Sequence, residues 1–178
     1  VAKPRGIPLV LTPLEAQLAV AVGTCRQEES VRAGLKDRHG FDGKRGLELH
    51  IEGAGGEIAF AKAFGLYPGF TVNTFKAADV GANVQVRTRS ERRYGLIVRA
   101  EDLDTDVFVH VIGILPAYSI MGWMYGAEAK KPGYLATHGE RPPAYFVPSE
   151  ELRDLGELQL APIRLPQEAA SPSKEYPF

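Results

Sequence analysis

The chain has a single cysteine, Cys25, among 178 residues. One thiol excludes an internal disulfide framework and a zinc centre built from several cysteines, and it suits a reducing compartment. An excess of either charge is also missing. Lys and Arg number 21 against 22 Asp and Glu, a formal net charge of −1. No global basic field therefore announces a polyanionic partner, and any nucleic-acid site must be a local patch. No apolar run approaches the ~18 residues of a membrane helix. The apolar stretch 9–22 has neither a basic leader nor a secretory cleavage site. These absences lead us to expect a cytoplasmic protein that does not enter a membrane.

Several motifs are absent as well. His39, His50, His110 and His138 are scattered, with no H-E-x-x-H and no Cys/His zinc spacing. "GAGGE" has no G-K-[ST] after it and no strand before it, so it is not a phosphate loop. "EDLDTD" (101–106) lacks the glycine and closing glutamate of an EF-hand loop and reads as a turn between strands. Trp123 reads as core, His110 as a half-buried strand residue, and Cys25 as buried.

What is present describes an ordinary globular chain, 44% hydrophobic and 24% charged. Its length fits one domain, expected over 1–160, followed by the proline-rich tail "APIRLPQEAASPSKEYPF" (161–178). Residues 1–11 read as an extended arm broken by Pro4 and Pro8. "TPLEAQL" starts a helix over 12–35: Thr12 caps, Pro13 suits the first turn and Glu15 completes a capping box. Leu14, Leu18, Ala21, Cys25, Val31 and Leu35 suggest its apolar face, with Gly23 as a break. Residues 36–46 form a polar connection. In "LELHIEGAGGEIAFAKAFG", Leu47, Ile51, Ala54, Ile58 and Ala61 recur at helical steps. Gly53, Gly55 and Gly56 weaken that helix unless they mark its start or permit close backbone approach. Gly65 stops it.

After Gly65 the period becomes two. Strands are expected at 70–75, 83–89, 94–99, 106–113 and 119–126, and once more in "AYFVPSEEL", where Ser149 caps a short helix. The order predicts an α/β (α+β) domain. In 83–89, Val84, Val86 and Thr88 share the core face, while Gln85, Arg87 and Arg89 share the opposite one. Glu57 lies ~60° from the centre of its helix's buried stripe, so it is the acid best placed to look inward.

A helix with an inward glutamate ("GGEIAFAKAFG"), followed by an aspartate hairpin and a strand ("AADVGANVQVR"), resembles the PD-(D/E)XK, or restriction-endonuclease-like, nucleases. Over residues 47–152 the chain looks like a divergent, phage-type member. The resemblance implies a central mixed sheet flanked by helices and Mg²⁺- or Mn²⁺-dependent hydrolysis of DNA phosphodiesters. It also implies a homodimer. Asp79 would bind metal, Gln85 would take a ligand or orienting position, and the Val86 carbonyl would complete the inner shell. Glu57 would support the metal or its water, and Arg87 would stand where lysine is usual.

Two departures separate this chain from the family. Gln85 offers a neutral oxygen, and Arg87 keeps its proton, so it can clamp a phosphate but cannot act as a base. Lys62 or Lys76 could supply the missing amine. Lys76, Arg87, Arg89, Arg92 and Arg93 gather positive charge for a phosphate backbone. No aromatic residues interleave with them, so base stacking is not indicated. The departures keep a second expectation open: a nucleic-acid-binding or assembly protein that has kept the fold and lost cleavage.

Overall fold

A computed structural model describes residues 6–34, 43–72, 77–139 and 141–160. The chain begins with strand β1 (Ile7–Val10) and helix α1 (Pro13–Arg32). The capping box forms as expected. Thr12 Oγ1 accepts from the Glu15 N–H, and the Thr12 N–H donates to Glu15 Oε2 at 2.7 Å. Residues 7–10 are extended as expected and pair with β5 as a strand, with Pro8 inside it rather than breaking it; residues 1–5 lie outside the described residues. One expectation fails here: α1 ends at Arg32 rather than at residue 35.

The buried face of α1 is also rotated, by about a third of a turn, from the expected one. Leu14, Leu18 and Val31 are exposed, and so is Cys25; the buried side is Ala19, Val22 and Gly23. The reason is steric. A Cβ on Gly23 would lie 2.6 Å from the Ile51 backbone nitrogen, so small residues let α1 press against its neighbour where leucines could not. Gly23 therefore seats the helix instead of interrupting it.

That neighbour is α2 (Gly43–Ala63). Every residue from 54 to 61 is buried, because α1 covers one side of the helix and a sheet covers the other. Gly55 and Gly56 are interior positions of close approach: a Cβ would collide with the Tyr118 ring and hydroxyl or with Thr88 Oγ1. Gly65, at φ +63°, ends the helical segment. Residues 70–72 are irregular rather than the start of a strand; 73–76, the rest of that expected strand, lie outside the described residues.

The remaining strands are β2 (Val84–Arg89), β3 (Leu96–Arg99), β4 (Val107–Ile114), β5 (Ala117–Tyr125), β6 (Leu135–Ala136) and β7 (Ala144–Val147). A short helix α3 (Gly126–Ala129) follows β5. In place of the C-terminal helix there are two single 3₁₀ turns, Ser149–Glu151 and Leu155–Glu157, and the Ser149 side chain makes no cap. The expected tail lies outside the described residues.

The strands form a mixed sheet, β1-β5-β4-β2, and an antiparallel one, β3-β7-β6. Only the β4–β2 pair is parallel. Strand alternation gives the mixed sheet two buried faces. Val84, Val86, Val107, Val109 and Val111 meet Ala54, Ile58 and Phe60 of α2. Phe108, Met121 and Met124 meet Leu96, Val98 and Val147 of the small sheet. Each large side chain so buried contributes about 1.5–3 kcal/mol. The observed class is mixed α+β. Among the described residues no helix is long and apolar enough to cross a membrane.

Candidate functional site

Among the described residues no strand lies beyond β2 in its sheet, and the polar residues singled out by the sequence gather round that open edge. The parallel ladder fixes which backbone groups face outward. The Val107 N–H donates to the Asn83 carbonyl, so the odd positions of β2 bond to β4. The even positions, Val84 and Val86, therefore turn their N–H and C=O toward the open edge. Val84 exchanges hydrogen bonds with Val80 there. The Val86 N–H donates to Asp79 Oδ2 at 2.8 Å. Asp79 thus lies in the plane of the edge, beside the outward carbonyl of Val86.

Glu57 sits on the valine side, 5% exposed. It faces α1 rather than the sheet, and Arg26 holds both its oxygens, at 2.7 and 2.8 Å. Arg26 Nε donates to the Thr71 carbonyl, tying α1, α2 and the segment before Asp79 together. Sequence reasoning missed Arg26. The signal existed, since Ala19, Val22, Gly23 and Arg26 follow the i, i+3, i+4, i+7 spacing of one helix face.

Gln85 and Arg87 project to the other face of β2, so they meet Glu57 only around the edge. Gln85 Nε2 donates to the Ala77 carbonyl and to Asp106 Oδ2, which anchors the segment leading into Asp79. Arg87 pairs with Asp102 at 3.2 Å and lies over the Phe108 ring. Lys62 is elsewhere, bonded to Glu15 on the outer side of α2. Lys76 lies outside the described residues. Arg89 stacks on Tyr94, Arg93 pairs with Glu91, and Arg92 is exposed.

The electrostatics join the two faces. Burial pushes the Glu57 carboxyl up to about 7; the Arg26 hydrogen bonds oppose that rise, and the Asp79 charge adds to it. Burial also raises Asp79, against the pull of the Val86 N–H, Arg87 and Arg26, and the Asp102 charge raises it further. Asp106 is raised by burial, against its Gln85 hydrogen bond. Lys130 is matched by Asp104. Lys130 Nζ also donates to the Asp102 carbonyl, so with Lys130 and Asp104 set against each other, Glu57, Asp79, Asp102 and Asp106 share Arg26 and Arg87 among the described residues. The cluster, fully ionised, carries two surplus negative charges.

That surplus suits a hard divalent cation. Asp79 Oδ1 has no hydrogen-bond partner among the described residues, and the Val86 carbonyl is an oxygen donor beside it. No set of three or more His, Cys, Asp or Glu side chains among the described residues is gathered closely enough to hold a metal unaided. The donor set fits Mg²⁺, which keeps several waters and takes one or two carboxylates, better than a fully caged metal. Comparisons with protein-family models, curated proteins and solved structures return no match.

Proposed function

We propose that the chain is a divalent-metal-dependent nuclease of DNA, working at the open edge of β2. Asp79 carries the reading: a carboxylate with one oxygen on the Val86 N–H and the other without a partner among the described residues, inside a cluster short of positive charge. Asp79 and the Val86 carbonyl would hold Mg²⁺. When bound, the ion supplies a water of lowered pKa and neutralises charge on the phosphate.

The chain's own residues do the rest. Arg87, partly exposed and held at a loose 3.2 Å by Asp102, can swing its guanidinium to a phosphate oxygen. Gln85 acts as a positioning residue, fixing residue 77 and so the approach of Asp79. Glu57 fixes Arg26, which brings a second positive charge toward Asp79.

The test is nicking of supercoiled plasmid with Mg²⁺, together with calorimetric titration of Mn²⁺. Asp79→Ala should abolish both. Cleavage that survives Asp79→Ala, or no cleavage by the wild type with any divalent ion, overturns the proposal. One observation favours a second reading: the two-point hold of Arg26 on Glu57 takes that carboxylate away from any metal or water at Asp79, as a chain that kept the fold and lost cleavage would show. Salt-sensitive binding without cleavage would establish that alternative.

A further inference from the structure

The turn after β2 and the end of β7 line a half-open cleft of about 360 Å³, bounded by Arg92, Arg93, Gly95, Phe146, Pro148, Ser149 and Glu150. Its back wall is fixed. A Cβ on Gly95 would collide with the Val147 carbonyl, so the turn is pressed onto β7, and Leu96 pairs with Val147 directly behind. Phe146 is half-buried, and His138 stands edge-on against it with centroids 4.6 Å apart. Ser149 Oγ lies 3.4 Å from Nδ1 of the fully buried His110, which holds the hydroxyl from behind.

Positive charge concentrates at this mouth. Arg89 and Arg93 both lie over the Tyr94 ring, at 4.8 and 4.9 Å. Against these and Arg92 stand Glu91, which pairs with Arg93, and Glu150. Tyr94 follows these arginines in the chain, and the fold adds a second ring by bringing Phe146 of β7 beside Arg92 and Arg93.

We infer that this cleft takes an unpaired nucleotide of a nucleic-acid strand, its base against Phe146 and its phosphate between Arg92 and Arg93. Aromatic stacking reads any base but needs it unstacked from a duplex, whereas arginines follow the backbone. Glu150 and Ser149 offer an acceptor and a hydroxyl to base or sugar edges. Arg89 and Arg87 share one face of β2 and stand about 7 Å apart along it. Arg87 is paired with Asp102, so Arg89 is the nearer cation to the cleft along that face. The inference rests on nucleic acid being the ligand and names its single-stranded form.

The experiment is fluorescence anisotropy with a labelled single-stranded DNA and its duplex, in EDTA, using the full chain. Single strands should bind more tightly. Phe146→Leu, which keeps an apolar side chain, should weaken them roughly tenfold and leave duplex binding unchanged. Equal binding of both forms, or an unchanged affinity in Phe146→Leu with normal melting, overturns the proposal. Should Phe146→Leu fail to fold, the exposed pair Arg92→Ala and Arg93→Ala decides, and undiminished single-strand binding overturns it. EDTA and an Asp79→Ala background separate the two proposals. Strand-preferring binding without cleavage leaves the cleft and removes the nuclease. Cleavage without strand preference does the reverse.

Discussion

Two polar regions differ in almost every physical respect. At the β2 edge, Arg26 and Glu57 are 12% and 7% exposed at their side chains, and acids outnumber arginines. At the 90–95 turn, Arg93 is 70% exposed and arginines outnumber acids. Buried charges must be matched or they destabilise the fold, whereas exposed ones are screened and left available to a ligand. The edge cluster is therefore built into the structure, and the turn is set on top of it.

The largest effect should separate these arginines. Arg26→Ala strands a buried carboxylate and is expected to cost about 3–5 kcal/mol in urea unfolding. Combining it with Glu57→Gln should recover much of that loss. Arg92→Ala should change stability by less than about 0.5 kcal/mol. Equal effects would erase the distinction.

Next comes a pH dependence. Burial, helped by the Arg89 charge, pulls His110 from 6.5 down to about 4. Its folded value is depressed, so as pH falls below 6.5 the unfolded chain takes up the proton first. Stability is full above 6.5 and declines toward 4, by on the order of 3 kcal/mol. The raised Glu57 and Asp79 act oppositely, losing stability as pH rises. The difference between wild-type and His110→Gln melting curves isolates the histidine contribution, which should grow only below 6.5.

Helix glycines give a smaller contrast. Gly56→Ala should destabilise by about 1–3 kcal/mol through its clash with Thr88. Gly53→Ala, with open space around it, should stabilise by up to about 1 kcal/mol. Smallest in stability, yet visible in binding, is the pair Arg92→Ala and Arg93→Ala. It should reduce the slope of log affinity against log salt by roughly one to one and a half.

Much of this architecture was legible. Alternation located β2, β4 and β5, and "TPLEAQL" located the start of α1 with its capping box. The valine face of β2 and the inward turn of Glu57 also followed from period alone. What misled was α1: hydrophobicity pointed to Leu14 and Leu18, but helix contact selected Ala19, Val22 and Gly23 because backbone proximity outweighed side-chain area. The same substitution of size for apolarity hid Arg26. The small sheet was unreadable as a unit, since β6 has only Leu135 and Ala136. The placing of Phe146 beside Arg92 depends on that sheet.

The free margin of β2 has another consequence. An unpaired strand border invites a second chain to add to it, and such addition leads to aggregation. Here Val80 covers position 84 and the Asp79 side chain occupies the donor at 86. Asp79→Ala would uncover that donor, so the variant best suited to test chemistry should also be the one most prone to associate, and its light scattering should be followed alongside its activity.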